Sequence, residues 1–568
     1  MHGRLKVRTT AEQQEIKRKE RAEKVKKFQA GLHRVFQKRD AGELDAEALQ
    51  ITAQLLAGNP DVSTLWNYRR AVLQHYIDTK SEDEVQAACV EELDFLESCL
   101  RVNPKSYGVW HHRAWTLSGA PRPDWTRELQ LCDKFLEYDE RNFHCWDHRR
   151  FVVKCSGVSA EAELEFTDTK ISTNFSNYSS WYYRSKLLPI VHPATDGSGR
   201  VAEAELLKEF QLVQNAFFTD PNDQSAWFYH RWLLGKGEQR LALDCIHISR
   251  DPCRASVRLT KPVKLGHDHV SLSISVDGKP VEDCRWKNAT RGSDYGMLWT
   301  YDVPRGTLTE RGEHVITAEL SSGDNDDDDK RLSLSCTLPA DRGECKMAMR
   351  TSFCRSRMTA AKTETLTDEL ESCKQLDELE PNNKWALLTI VLLMRALDPL
   401  GREAETLDYL SQLSEVDPYR GNYYRDLGSK FIMENVLEQQ QHLEDKVALK
   451  DKGLTALYYT EYLATVSELN LASNKLTNVS QCCHLQCVTK LILDDNELES
   501  CVGLGQLPLL VELSLQNNKL STVDAVAPLS TCPRLERLDL RGNPMASDCA
   551  VVESVRAALP QVRELLLV

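Results

Sequence analysis

The sequence lacks the segments that carry a protein into or across a membrane. Its first 28 residues contain no apolar core such as a signal peptide has. The longest apolar run, residues 385–394, is too short for a membrane-spanning helix, which needs about 20 residues. Eighteen cysteines are scattered without the spacing of a disulfide framework. These absences predict a cytoplasmic protein with reduced thiols.

Short motifs of metal and phosphate chemistry are also missing. The chain contains no C-x2-C pair, no H-E-x-x-H and no glycine-rich phosphate loop. The segment CCHLQC (482–487) groups cysteines with His484, but adjacent cysteines suit a tetrahedral zinc site poorly. The acidic run DNDDDD (324–329) lacks the spaced ligands of a calcium loop, so a solvated hairpin loop is favoured. We therefore predict no metal site built from these segments.

Positive charge is scarce except at the N-terminus. The 568 residues carry a formal net charge of -14, which argues against a general nucleic-acid binder. Residues 1–40 differ, because they hold 13 Lys or Arg against 5 Asp or Glu, a net charge of +8. We predict a basic helical segment over residues 1–45. The length and the 41% hydrophobic content together predict three or four domains.

A tryptophan recurs at a fixed place in five copies of a short motif. An Asn or Asp stands seven residues before the tryptophan in each copy. The tryptophans are Trp66, Trp110, Trp146, Trp181 and Trp227. In the first four copies an arginine follows by three residues and Leu or Val by seven. Residues 380–393, with Trp385, read as a shortened sixth copy, and Tyr424 marks a degenerate seventh. The period predicts a helical repeat protein.

Each copy has the pattern of a helical hairpin. Asn or Asp, often before Pro, ends one helix and prepares the next, while spacings of three and seven share one helix face. Amphipathic stretches precede the copies. One stripe consists of Val85, Cys89, Leu93, Leu96 and Leu100, and another of Leu366, Leu370, Cys373, Leu376 and Leu379. We predict an α-α helical-hairpin solenoid, with repeats 1–5 in residues 46–239 and repeats 6 and 7 in residues 351–440.

An insertion interrupts the helical pattern. The fifth and sixth tryptophans are 158 residues apart, whereas the others are 35 to 46 apart. Between residues 240 and 350 apolar residues alternate with polar ones, as in HVITAEL, RLSLSCTL and the stretch from Val270 to Val276. The extra length, about 110 residues, fits one β-sandwich. We predict an inserted Ig-like β-sandwich over residues 240–350.

The C-terminal segment, residues 441–568, has a third pattern. SELNLASNKL, TKLILDDNEL, VELSLQNNKL and ERLDLRGNPM share the spacing of leucine-rich repeats. Asn474, Asn496 and Asn518 are 22 residues apart, Asn543 follows 25 later, and Lys452 takes the Asn place in an earlier copy. The pattern predicts short parallel strands, with the asparagine side chains bound to backbone groups of the turns.

Comparison of the tryptophan copies separates packing from chemistry. Trp110, Arg113 and His112 have counterparts in other copies, so we interpret them as core. Lys105 and His144, five and two residues before their tryptophans, differ from their counterparts. Both fall at the start of the second helix of neighbouring repeats, where backbone N–H groups and the helix dipole favour an anion. From the pattern alone, a solvated lysine and a core histidine remain an equal alternative.

The tryptophan copies, with HHR, DHR and YYR after the tryptophan, resemble the repeats of protein prenyltransferase alpha subunits over residues 45–240 and 360–435. The inserted sandwich and the leucine-rich tail make the chain similar to alpha subunits of animal Rab geranylgeranyltransferases (type II). The resemblance implies a heterodimer, in which a beta subunit holds the catalytic zinc and the isoprenoid pocket. It also implies geranylgeranyl diphosphate as co-substrate and an escort protein that presents Rab GTPases.

The resemblance extends to individual site residues. Members of the family have N-P-K-x-Y before one tryptophan and N-[YF]-H-x-W at the next, which fall here on Lys105, Tyr107 and His144. It implies that these three residues bind the diphosphate and that Lys105 and His144 assist catalysis. Phe143 stands where some relatives have tyrosine. A further hypothesis is that His2, near the terminus, reaches a metal on the partner.

The sequence leaves two alternatives to this interpretation. The chain could be the shared alpha subunit of a CaaX prenyltransferase, which the sandwich and the leucine-rich tail argue against. It could also be a non-enzymatic solenoid and leucine-rich scaffold, which would need neither a barrel-shaped partner nor zinc.

Overall fold

The computed structural model describes residues 11–195, 199–235, 241–267, 270–282, 284–290, 292–322, 330–349, 358–439, 444–547 and 549–567. Residue contacts divide the chain into two compact units, Met1–Pro193 and Ala194–Val568. His2 and the acidic run 324–329 lie outside the described residues. Among the described helices, none is both long enough and apolar enough to cross a bilayer.

The first unit is helical. Its helices are α1 (Ala11–Asp40), α2 (Ala46–Gly58), α3 (Ser63–Thr79), α4 (Glu82–Val102), α5 (Tyr107–Gly119), α6 (Trp125–Tyr138), α7 (Phe143–Ser156), α8 (Ala160–Thr173) and α9 (Tyr178–Val191). Helices α2 to α9 form hairpins, and α3, α5 and α7 also pack side by side. The recurring tryptophans therefore lie on the second helix of successive hairpins, as the spacing predicts.

Each recurring tryptophan closes the turn in front of its own helix. The indole Nε1 of Trp110 donates to the carbonyl of Pro104 at 2.8 Å, and that of Trp146 donates to the carbonyl of Glu140 at 2.8 Å. The Asn or Asp that begins the motif accepts the backbone N–H two residues later, as Asp139 does from Arg141 at 3.2 Å. The seven-residue spacing is thus a property of one turn that two hydrogen bonds hold.

Buried ion pairs join consecutive hairpins. Arg113 donates to both carboxylate oxygens of Glu128, and Nε2 of His148 lies 2.7 Å from the same group. Burial raises the pKa of Glu128, but His148 and Arg113 outweigh that effect and lower the pKa to about 2. Glu92 holds Arg69 and His112 in the same way. The arginines and histidines are core residues, as predicted, but the sequence analysis missed the glutamates that hold them.

The predicted apolar stripe of α4 is buried throughout, whereas the second stripe is buried except at its end. Leu379, the last residue of α12 (Ala360–Leu379), is 79% exposed, so the buried part of this stripe ends at Leu376. The assignment of Trp385 also needs correction. Asn383 caps α13 (Lys384–Leu397) as Asn142 caps α7, which places the fully buried Leu387, and not Trp385, at the position of Trp146.

The second unit begins with the fifth hairpin, α10 (Glu203–Thr219) and α11 (Gln224–Leu233), and continues into two antiparallel sheets. Their strands are β1 (Leu243–Ser249), β2 (Arg254–Val263), β3 (Ser271–Val276), β4 (Lys279–Pro280), β5 (Lys287–Asn288), β6 (Gly296–Asp302), β7 (His314–Ser322), β8 (Lys330–Leu338) and β9 (Glu344–Ala348). The orders are β5-β6-β2-β1-β9 and β4-β3-β7-β8. Residues of both sheets share one apolar core, which includes the predicted alternating residues of β3.

After these strands the helices resume and a parallel array ends the chain. The helices are α12, α13, α14 (Glu403–Val416) and α15 (Gly421–Gln439), and Tyr424 is buried on α15. The array consists of β10 (Lys446–Ala448), β11 (Glu468–Asn470), β12 (Lys490–Ile492), β13 (Glu512–Ser514), β14 (Arg537–Asp539) and β15 (Glu564–Leu566), all parallel and in register, with α16 (Val523–Val526) and α17 (Cys549–Ala558) in its connections. Strand β15 was not predicted.

The array is held by a ladder of buried asparagines. Asn496 donates to the carbonyls of Leu471 and Leu493 at 3.0 Å and accepts the backbone N–H of Leu476 at 3.1 Å. Asn474 and Asn518 make the same kind of contacts. These side chains satisfy backbone groups of the turns, which confirms the structural role predicted for them.

Candidate functional site

Lys105 and His144 lie where neighbouring hairpins begin their second helices. Lys105 precedes Ser106, the N-cap of α5, and His144 is the second residue of α7. The first backbone N–H groups of a helix have no partner within the helix, and the helix dipole favours negative charge there. The predicted placement at two helix N-termini is therefore confirmed, while the role of the two residues stays a prediction.

A buried asparagine fixes the two turns relative to each other. Asn142, 1% exposed, donates from Nδ2 to the carbonyl of Pro104 at 2.9 Å. Its Oδ1 accepts the backbone N–H of His144 at 3.2 Å. The Pro104 carbonyl also accepts the indole of Trp110. The residue before Lys105 is thus bound to the cap of the helix that carries His144, so both site residues belong to one rigid framework.

Lys105 has a partner that the sequence analysis missed. Its Nζ lies 3.0 Å from Oδ2 of Asp139, and the lysine side chain is 63% exposed. Asp139 is the C-cap of α6 and stands at the Asn or Asp position of its repeat. Copies with asparagine in this place carry no such charge. The repeat pattern showed an acidic residue at this position, but it did not show that the carboxylate meets Lys105.

Tyr107 and His144 form an aromatic pair. Their ring centroids are 4.2 Å apart at 85°, an edge-to-face contact. Tyr107 is 71% exposed, whereas His144 is buried. Burial lowers the pKa of His144, Asp147 opposes this effect, and the charge of Lys105 adds to it. Above neutral pH the ring is therefore uncharged and has an N–H to donate. A cation, a phenol and an imidazole thus surround two helix N-termini, an arrangement that can bind a multiply charged anion.

Exposed aromatic side chains extend from this group along the first unit. Phe143 is 50% exposed, Tyr178 at the start of α9 is 52% exposed and Tyr182 is 42% exposed. Large aromatic residues are usually buried on folding, and those left exposed in a group mark surfaces for binding.

A cavity of about 540 Å³ lies elsewhere, between α4 and α6, and its lining includes Pro104 and Asp139 but neither Tyr107 nor His144.

The CCHLQC segment is engaged in packing. Both ring nitrogens of His484 contact threonine hydroxyls, Nδ1 that of Thr460 at 2.8 Å and Nε2 that of Thr290 at 2.9 Å. Cys482 is fully buried, and burial raises the pKa of its thiol. Within the ranges that the structure describes, no group of three or more His, Cys, Asp or Glu side chains is arranged to hold a metal ion.

Two family models match the chain. The protein prenyltransferase alpha subunit repeat matches residues 45–76, 89–120, 125–156, 160–190 and 206–237. The insert domain of the Rab geranylgeranyl transferase alpha subunit matches residues 243–331. Geranylgeranyl transferase type-2 subunit alpha of Rattus norvegicus is 48% identical over 574 residues, with all of both chains covered. The chain belongs to the family of geranylgeranyl transferase type-2 alpha subunits. The predicted family is thereby confirmed.

Other relatives agree. The human protein of the same name is 47% identical over the full length, and the Dictyostelium discoideum protein is 41% identical over 41% of this chain and 75% of its own. A solved structure, Candida albicans protein geranylgeranyltransferase-I complexed with GGPP, covers 70% of this chain and 88% of its own at 16% identity and a TM-score of 0.38. Membership of the type-2 family makes the chain a subunit of a protein prenyltransferase and decides against a non-enzymatic scaffold.

Proposed function

We propose that the chain pairs with a prenyltransferase beta subunit and transfers geranylgeranyl from its diphosphate to C-terminal cysteines of Rab GTPases, which an escort protein presents. The observation that carries this proposal is the 48% sequence identity to a type-2 alpha subunit over the full length of both chains. The arrangement of Lys105, Tyr107 and His144 on two adjoining turns supports it, because those turns present the donors that a diphosphate needs.

The chain's own residues are proposed to stabilise the negative charge that develops on the leaving group. The substrate thiol first loses its proton to solvent. As its sulfur bonds to C1 of the isoprenoid, the C1–O bond breaks and negative charge grows on the departing diphosphate. The Lys105 ammonium, the Tyr107 hydroxyl and a ring N–H of His144 would bind that charge, and the dipoles of α5 and α7 would add to the attraction. For this purpose the Lys105 ammonium binds the diphosphate while it stays near the Asp139 carboxylate.

Zinc is expected on the beta subunit, where it would bind the substrate thiol as a thiolate. The described part of this chain offers no group of three or more His, Cys, Asp or Glu side chains arranged to hold a metal ion. His2 remains a hypothesis for a contact with the partner's metal. The exposed aromatic surface around Tyr107, Phe143 and Tyr182 is where we place the beta subunit, since a cover there would also exclude water from the diphosphate.

The additions to the helical repeats are proposed to be an Ig-like β-sandwich in residues 240–350 and a leucine-rich repeat domain in residues 441–568. Two facing antiparallel sheets and a parallel ladder with buried asparagines support these assignments. The basic segment 1–45, the repeats at 46–239 and those at 351–440 complete the proposed domains of a cytoplasmic protein. We expect deletion of residues 441–568 to leave assembly and transfer in place, and loss of both in a folded variant would contradict this.

Reconstitution tests the function as a whole. The chain is combined with the beta subunits of type-2 and CaaX prenyltransferases, and transfer of labelled geranylgeranyl is measured on substrates that end in CC and in a CaaX box. We expect transfer only to CC-ending Rab proteins, and only when both the type-2 beta subunit and the escort protein are present. Transfer to CaaX substrates with the other beta subunit would support a shared alpha subunit instead.

A further inference from the structure

Two cysteines of the inserted sheets lie side by side. Sγ of Cys345 on β9 is 3.2 Å from Sγ of Cys336 on β8. A disulfide needs a sulfur separation of about 2.0 Å and side chains that point toward each other, so only a small movement would join the two sulfurs. Strand β8 belongs to the four-stranded sheet and β9 to the five-stranded one, so this contact bridges the two sheets.

The strand registers direct both thiols into the space between the sheets. Cys336 pairs with Ile316 across β7 and β8, and Cys345 pairs with Ile248 across β1 and β9. Both isoleucines are fully buried. Paired residues of neighbouring strands point to the same face of their sheet. Each cysteine therefore faces the shared core, and backbone pairing on both sides holds the two sulfurs together.

An arginine fixes the connection between the two strands. Arg250 donates from Nε to the carbonyl of Arg342 at 2.9 Å and from Nη2 to the carbonyl of Pro339 at 3.0 Å. Both acceptors lie in the segment that links β8 to β9. The hydrogen bonds of Arg250 thus stabilise the connection that sets the separation of the two cysteines.

The two thiols differ in their surroundings. Cys345 is partly exposed, whereas Cys336 is buried. The hydrogen bond between the two thiols lowers the pKa of Cys345, burial opposes it, and the charges of His247 and Arg250 lower the pKa further. His247 donates toward Glu344 at 3.0 Å, and its Nδ1 lies 3.5 Å from Sγ of Cys487. An accessible thiol of lowered pKa thus stands next to a buried thiol, and a lowered pKa together with access makes a cysteine more reactive.

We propose that Cys336 and Cys345 form an oxidisable dithiol, a modification site at which Cys345 reacts first and Cys336 completes a disulfide. With a small disulfide such as oxidised glutathione, the Cys345 thiolate attacks one sulfur and releases one glutathione. The Cys336 sulfur then attacks the mixed disulfide, releases the second glutathione and gives its proton to solvent. Two protein thiols lose two electrons and two protons, and the glutathione disulfide gains them.

The test uses the full-length chain in complex with its beta subunit. The reduced complex is equilibrated in glutathione buffers of rising oxidised fraction, free thiols are blocked with iodoacetamide, and peptides are mapped by mass spectrometry. We expect a cross-linked peptide that joins Cys336 and Cys345 and that reverts on reduction. Cys345→Ser should abolish it, whereas Cys253→Ser, at a partly buried thiol in the turn between β1 and β2, should leave its yield unchanged.

An internal control lies in the first unit. Cys132 and Cys145 are also close, with Sγ of Cys145 3.5 Å from the Cys132 carbonyl, but both are fully buried and should stay reduced. Cross-linking of this pair to the same extent would show that the buffer opens the fold, and would overturn the inference of a selective site. A lasting glutathione adduct on Cys345, with Cys336 still alkylated only after denaturation, would overturn it as well. Both readouts are independent of transferase activity.

Discussion

Replacement of Lys105 by alanine separates the diphosphate role from packing. The side chain is 63% exposed, and its Nζ lies 3.0 Å from the Asp139 carboxylate. Exposed ion pairs contribute about 0 to 1 kcal/mol to stability. We therefore expect the free energy of unfolding to change by about 1 kcal/mol or less and assembly with the beta subunit to be normal.

The effect on transfer should be much larger. Two unit charges about 4 Å apart interact by about 4 kcal/mol at an effective dielectric constant of 20, which suits a site near the protein surface. Asp139 stays close to the ammonium and cancels part of this attraction. A net loss of roughly 3 kcal/mol corresponds to a rate roughly a hundredfold lower, within a span of tenfold to a thousandfold.

Single-turnover transfer measures the loss, with geranylgeranyl diphosphate limiting and then saturating, beside melting curves and gel filtration of the complex. Lys105→Arg keeps the charge and should retain most of the rate. Lys134→Ala removes an exposed lysine of α6 and serves as the matched control. A Lys105→Ala complex that assembles normally and turns over at the parental rate in both regimes would refute the assignment of Lys105 to the diphosphate.

Three further predictions concern the same turns. Since burial lowers the pKa of His144 below 6.5, its ring is neutral at pH 8, and a bound diphosphate favours the imidazolium. Diphosphate affinity, measured by titration, should therefore rise from pH 8 to pH 6, and His144→Asn should flatten this slope; an unchanged slope would contradict the assignment. Asp139→Asn keeps the turn, because other copies have asparagine there, and should tighten diphosphate binding several-fold by freeing the lysine. Weaker binding would show that the carboxylate positions the lysine productively. Trp110→Ala removes a buried indole and its hydrogen bond to Pro104, and should lower the free energy of unfolding by roughly 3 to 5 kcal/mol in denaturant melts, whereas a loss below about 1 kcal/mol would show that the repeat does not depend on it.

The helical repeats could be predicted from the amino-acid sequence because short-range hydrogen bonds fix the spacing of their residues. The turn that Asn or Asp opens and the tryptophan closes lies within eight residues, so its hydrogen bonds impose a short spacing that recurs in the chain. The asparagines of the C-terminal array recur for the same reason. Lys105 and His144 could be selected because they depart from this regular background. The comparison failed at Trp385, where the spacing is shorter and the identity of one residue suggested an alignment that the helix cap corrects to Leu387.

Contacts between residues distant in the chain were decided by tertiary structure alone. Asp139 meets Lys105 because the end of α6 packs beside the turn before α5, and no local spacing encodes that pairing. Glu128 meets Arg113 from the next helix, and it looks like any other charged residue of an amphipathic segment until packing buries it. Cys336 and Cys345 are close in sequence, but their thiols face each other only because β8 and β9 belong to two different sheets. Periodic local hydrogen bonding leaves a trace in the sequence, whereas the partner of a side chain depends on how the elements pack.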